Sequence, residues 1–280
     1  MSNPLTNRPS VYHQPVPGPP SDNPRVLRQS IPGDWAAALG TIEHARCLKD
    51  HPGGTVWRAT LLGHDCILKS TPLTSPKRRV QALLRRSPAW KHWRAAHWLY
   101  AHGIDTAPPL ALLRCAHKHA PSECLVLAFL PGGTVLDHLA ARDLSPAAEH
   151  RLAEAVATLA CRLASQGVRN RDAKPSNLIV TEITTRLATL AVIDCADLRR
   201  VRSSPEHAVA EMLASAFIEP LGCTLPPRRA LCARAVRTAA RTLDPDHASA
   251  ATKRLWHHVA AIVAAHGDPT PADHPLAKQP

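Results

Sequence analysis

Aromatic residues are scarce in this sequence: two Phe, two Tyr and six Trp make up 4% of 280 residues. They do not alternate with the basic residues, so the stacking platform that a single-stranded nucleic acid requires is missing. Apolar runs are short as well. None reaches the roughly 18 to 20 residues that span a bilayer, and the N-terminus lacks the apolar core of a secretory signal. The eight cysteines include no C-x-x-C pair, which argues against a zinc site or a disulfide framework. Reduced thiols, several of them in a core, are the expectation, and with them a cytoplasmic location. Acids are also in short supply. Lys and Arg number 34 against 22 Asp and Glu, and the formal charge of +12 favours anionic partners such as nucleotides or acidic membrane surfaces. From Lys69 to Asp105 no acid intervenes at all.

What is present suits a folded protein. A hydrophobic fraction of 45% is ordinary for a globular core, and the length fits one large domain or two smaller lobes. Residues 1 to 34 carry repeated prolines among Ser, Asn and Gln, and read as a disordered tail. Asp34 can cap a short helix from Trp35. Three antiparallel strands are expected over Arg46–Lys49, Thr55–Leu62 and Asp65–Lys69, with Gly53-Gly54 between the first two. That glycine pair is either a plain hairpin turn or a lid whose backbone amides approach phosphate oxygens. Ser87 to His102 reads as a helix ended by Gly103. Two further strands follow, Pro108–Leu113 and Cys124–Leu130, before Pro131-Gly132-Gly133 breaks the chain at a hinge.

Past that break the pattern becomes helical. A short helix covers Thr134 to Ala141, and a longer one starts at Ser145-Pro146 with Leu152, Val156, Leu159 and Leu163 on one face. Gly167 stops it. Three more helices are expected over Glu206–Ala216, Pro226–Leu243 and Ala248–Ala265, with a frayed tail from 268 to 280.

The stretch Asn170-Arg171-Asp172-Ala173-Lys174-Pro175-Ser176-Asn177, with Val192-Ile193-Asp194 after one hairpin, carries the chemistry. An acid five residues before an amide, with a second acid beyond, suits phosphoryl transfer from a magnesium nucleotide. The first acid can accept a hydroxyl proton, while the amide and second acid are hard oxygen ligands. Taken singly, each is a turn former; the linked spacing is what gives them weight.

This stretch resembles the kinase catalytic loop H-R-D-x-K-x-x-N. The segment from Arg86-Ser87-Pro88-Ala89-Trp90-Lys91-His92-Trp93 through Gly103-Ile104-Asp105-Thr106-Ala107-Pro108-Pro109-Leu110-Ala111 resembles the basic helix and G-I-x-T-x-x-P-L-A stretch of the bacterial lipopolysaccharide core kinases, which phosphorylate Kdo or heptose. The resemblance covers roughly residues 40 to 240. It implies an α+β, two-lobed protein-kinase-like fold, with a small antiparallel-sheet lobe over 35–130 and a mainly helical lobe over 131–267. It further implies Asp172 as catalytic base and Lys174 as a donor to the transferring group. Asn177 and Asp194 become Mg2+ ligands, and Lys69 the contact to the ATP phosphates. Gly53, Gly54, Thr55 and Val56 stand in for the glycine-rich loop, and Leu127 to Leu130, including Ala128 and Leu130, for the adenine-binding hinge.

The sequence departs from the pattern in places. Asn170 replaces a histidine, Cys195-Ala196 replaces Phe-Gly, and the helical glutamate that pairs with the strand lysine is absent, with His92 near its position. The lysine's environment is then completed by nucleotide phosphates or by an acid from elsewhere. No long activation segment follows Asp194, which turns the expected acceptor away from protein and toward an anionic glycolipid or small molecule at the inner membrane face. Lys77, Arg78, Arg79, Arg85, Arg86, Lys91 and Arg94 either hold such an anion or form a solvated helix face. A Ser/Thr protein kinase and a non-catalytic nucleotide-binding scaffold are the competing readings.

Overall fold

The computed structural model describes residues 22–117 and 120–269. The architecture is α+β, as expected: a six-stranded antiparallel sheet comes first in the chain and a mainly helical half follows. The sheet has six strands, β1 (Asp22–Gln29), β2 (Glu43–His51), β3 (Gly54–Leu61), β4 (His64–Pro72), β5 (Pro109–His117) and β6 (Ala120–Ala128). They lie in the order β1-β5-β6-β4-β3-β2, each pair antiparallel.

Alternation along the strands feeds two separate apolar layers. On one face Trp57, Ala59 and Leu61 of β3 and Cys66 and Leu68 of β4 pack with Trp35 and Leu39 of α1 (Trp35–Gly40). On the other, Leu112, Leu125 and Leu127 meet Ala89, Trp90 and Trp93 of α3 (Pro88–Ala101). A helix not anticipated from the sequence, α2 (Pro76–Leu83), links β4 to α3. Six of the eight cysteines are buried and all eight are free thiols, as the scattered spacing suggested.

The expected disordered tail is corrected in its last third. Residues Asp22–Gln29 form β1, whose Val26 and Gln29 pair with Leu113 and Ala111 of β5. Its polar, basic composition gives no strand signal because it is an edge strand, with only one side bonded. Residues 1–21, and 270–280 of the expected frayed end, lie outside the described residues.

The second half holds α4 (Val135–Ala141), α5 (Pro146–Ser165), α6 (Pro205–Gly222), α7 (Arg229–Leu243) and α8 (Ala248–His266). Among them run the short strands β7 (Val168–Asn170), β8 (Leu178–Ile183), β9 (Ala188–Val192) and β10 (Leu198–Arg200), paired as β7 with β10 and β8 with β9. The segment expected as a hinge is hydrogen-bonded to this half: Val180 N donates to Gly133 O at 2.9 Å. Gly132 has φ +120°, and a Cβ there would lie 2.4 Å from Val180 O, so glycine is required by both torsion and space. Among the described residues no helix is long and apolar enough to cross a membrane.

Candidate active site

The loop after β7 is built by its own side chains. Asn170 closes the strand and works in two directions: its Oδ1 accepts from Asp172 N at 3.1 Å, and its Nδ2 donates to Asp194 O at 3.2 Å. One buried amide therefore ties the expected base to the expected metal ligand. Pro175–Asn177 form a single 3-10 turn, from which Asn177 reaches back. Its Nδ2 donates to Asp172 Oδ2 at 2.8 Å and to Asp172 O at 3.0 Å, which leaves Oδ1 as its ligand atom. Lys174 Nζ stands 2.7 Å from Asp172 Oδ1. The hydrogen bond to Asp172 holds the Lys174 ammonium above its ordinary pKa, so it remains a cation.

A residue the sequence reading missed secures this loop from outside. Glu219 of α6 accepts from Ser176 N at 2.8 Å and also from the Ser176 hydroxyl. Nothing local marks it, because it lies 43 positions further along the chain. The β8–β9 hairpin is joined to the loop by Ile193 N donating to Asn177 O at 3.0 Å, which brings Asp194 beside it.

Lys69, at the position expected on β4, does meet an acid. Its Nζ lies 3.4 Å from Asp194 Oδ2 and donates to Ile193 O at 3.0 Å. Asp194 thus takes the place of the missing helical glutamate. His92 of α3 occupies the expected position, with Nδ1 3.6 Å from Asp194 Oδ1, but burial and then the Lys69 charge push its pKa down to about 3. It is therefore a neutral neighbour at ordinary pH, and its buried Nε2 has no hydrogen-bond partner. Burial acts to raise the Asp194 carboxyl and is the largest single influence, but Lys69, His92 and a hydrogen bond from the Ala196 backbone together hold the group below the usual range. Cys195 is fully buried with its thiol pushed up to about 12, and is a packing group.

Lys69, His92 and Asp194 open onto a cavity of about 220 Å³ that Gly53, Gly54, Thr55 and Val56 also line, while Asp172, Lys174 and Asn177 are not among its lining residues. Its rim is the β2–β3 turn. His51 pairs with Gly54, and Gly53 N donates to His51 Nδ1 at 2.9 Å, so the glycine pair is a tight hairpin that also lines the cleft. Gly54 has φ +151°, and a Cβ there would be 2.3 Å from Ser70 O. Ala128 and Leu130 are not part of this lining. Ala128 N is bonded to Pro108 O at 2.9 Å and Phe129 N to Asp65 O at 2.8 Å, so the amides of the expected hinge are partly committed within the fold. Arg58, bound to Asp65, lies over the Phe129 ring at 3.7 Å from its centroid.

The donor chemistry fits a hard cation held with a phosphate ligand. Asp194 offers carboxylate oxygens and Asn177 an amide oxygen, a set typical of magnesium sharing its shell with water and phosphates. Among the described residues no group of three or more His, Cys, Asp or Glu could hold a metal, so such a cation would need the ligand's own oxygens. No protein-family model matches this chain, and no curated protein matches it.

Proposed function

We propose that the chain is an ATP-dependent kinase transferring the γ-phosphoryl group to a hydroxyl, most fitly of a lipopolysaccharide core sugar or a related anionic small molecule at the cytoplasmic membrane face. The observation that carries the reading is the linkage of Lys69, Asp172, Lys174, Asn177 and Asp194 into one cluster of contacts, from three separated segments. Bound magnesium nucleotide supplies the phosphoryl group and neutralises its charge. The protein's part is positioning. Asp172, steadied by Asn177, accepts the hydroxyl proton, and Lys174 beside it offers a cation where charge develops. Lys69 would hold the nucleotide phosphates, and Asp194 with Asn177 would hold the cation.

A protein acceptor is disfavoured. Only the three-residue strand β10 lies between Asp194 and the start of α6 at Pro205, which leaves little chain for a peptide platform. The test is phosphoryl transfer with purified protein, Mg-ATP and either core oligosaccharide or generic basic protein. The parent should label the oligosaccharide, and Asp172→Ala should lower turnover by about two to four powers of ten while the thermal shift with Mg-ATP persists. Transfer to protein alone would overturn the acceptor, and equal turnover in the variant would overturn Asp172 as base.

A further inference from the structure

A second recess adjoins the candidate cleft, and its chemistry is unlike that of the first. It measures about 370 Å³, and four basic residues are among its lining: Lys91 and Arg94 from α3, Arg199 and Arg200 from β10. No carboxylate is among its lining residues. Asp197, which pairs with Arg199 at 2.5 Å, is the acid that β10 brings near, so the positive charge is incompletely offset. Trp98 and Val168 give the recess an apolar floor.

Basic residues contributed by two different elements concentrate positive charge around one recess, and a site of that kind favours a counter-ion. The cations are also held in place. Arg94 donates to Arg85 O at 2.9 Å, and Arg199 donates to Ala196 O and Leu198 O, so the two guanidiniums start from fixed positions. Guanidiniums presented in this way match the oxygens of a phosphate in both geometry and charge.

We propose that this recess binds a phosphomonoester whose uncharged part lies on Trp98 and Val168. The ligand is either a free phosphorylated sugar or the phosphorylated headgroup of a glycolipid. The site does not depend on phosphoryl transfer in the cleft, yet it adjoins it, because Ala196 lines both cavities. A bound anion joins α3, which carries His92, to β10, whose Leu198 pairs with Asn170.

Calorimetric titration of the full chain with inorganic phosphate and with glucose 6-phosphate tests the proposal. Saturable binding is expected in the parent and in Lys69→Met, which removes the cation of the nucleotide cleft. In the double variant Arg94→Ser/Arg200→Ser affinity should fall roughly tenfold or more, from the loss of charge-assisted hydrogen bonds, and Arg94→Lys/Arg200→Lys should recover part of it. Mg-ATP binding by the serine variant should match the parent, which separates failure of this site from failure of the cleft. Sedimentation with phosphatidylcholine vesicles containing phosphatidic acid distinguishes the sources: binding there together with weak sugar phosphate binding assigns a headgroup. Loss of binding in Lys69→Met, parental affinity in the serine variant, or the absence of saturable binding to any of the three probes would overturn the proposal.

Discussion

His92 and Lys69 both face Asp194, and His92 is neutral at ordinary pH. A histidine whose folded pKa is about 3 instead of the ordinary 6.5 favours its neutral form on folding. Its contribution to stability is complete above the unfolded pKa and is lost as pH falls below it, because the unfolded chain takes up a proton that the folded one refuses. Stability should therefore decline by up to about 1.4 kcal/mol per pH unit below about pH 6.5 from this residue. Asp194 acts in the same direction, but only below the ordinary carboxylate range. Urea unfolding of parent and His92→Gln between about pH 7 and about pH 5 measures the difference, and parallel curves would remove His92 from the account. At this scale the legible residues were those marked by local spacing: Asp172, Lys174, Asn177 and Asp194 lie within one loop and one hairpin. The acid that meets Lys69 was not legible, since Asp194 was already assigned to the metal and a contact between residues so far apart in the chain has no local signature.

Four helices start on the same pair, Ser75-Pro76, Ser87-Pro88, Ser145-Pro146 and Ser204-Pro205. In each the serine hydroxyl accepts from a backbone amide in the first turn, while proline needs no partner for the donor it lacks. Two of these starts were read correctly from sequence; α2 was passed over because its large apolar residues Val80 and Leu83 are exposed and only the small Ala82 is buried, which leaves no apolar stripe to read. The strands were legible where a long run alternates in burial, as in β3, and illegible in β1, which depends on pairing with a distant partner, and in the three-residue β7 and β10. The Pro131-Gly132-Gly133 break was legible as a break but not as a docked one. Gly132→Ala forces a methyl against Val180 O at a torsion that side chains avoid, and should cost about 1–3 kcal/mol. Gly133→Ala meets only the movable His138 ring at 3.2 Å and is the control. Matching urea midpoints for the two variants would show that the loop can shift freely, against the close approach described above.

For the whole molecule the decisive element is α3, because it belongs to both halves. Ala89, Trp90 and Trp93 pack under the sheet, while Ala96 and Leu99, with Ile104 just beyond, join the apolar core of α5, α6 and α7. The turn that follows is bonded to the second half at several points. Arg162 of α5 donates to Gly103 O at 2.7 Å, Thr106 Oγ1 donates to Val192 O at 2.7 Å, and Val192 N donates to Asp105 O at 2.9 Å. A helix anchored at both ends is poorly placed to swing, and the neutral His92 on it has no strong ion pair to make or break. Because neither half can lose α3 without exposing its own core, the two should unfold together, although a chain of this length often unfolds in steps. Buried Trp35, Trp57, Trp90 and Trp93 report on the sheet half, and the far-ultraviolet dichroism is dominated by the helices of the other. In urea the two signals should follow one transition. Leu99→Ala, which removes a fully buried side chain from the shared helix, should cost about 2–5 kcal/mol and move both signals equally. Fluorescence and dichroism midpoints that separate in the parent, or a Leu99→Ala effect confined to the helical signal, would mean that α3 belongs to one half alone and that the lobes are held only at the cleft.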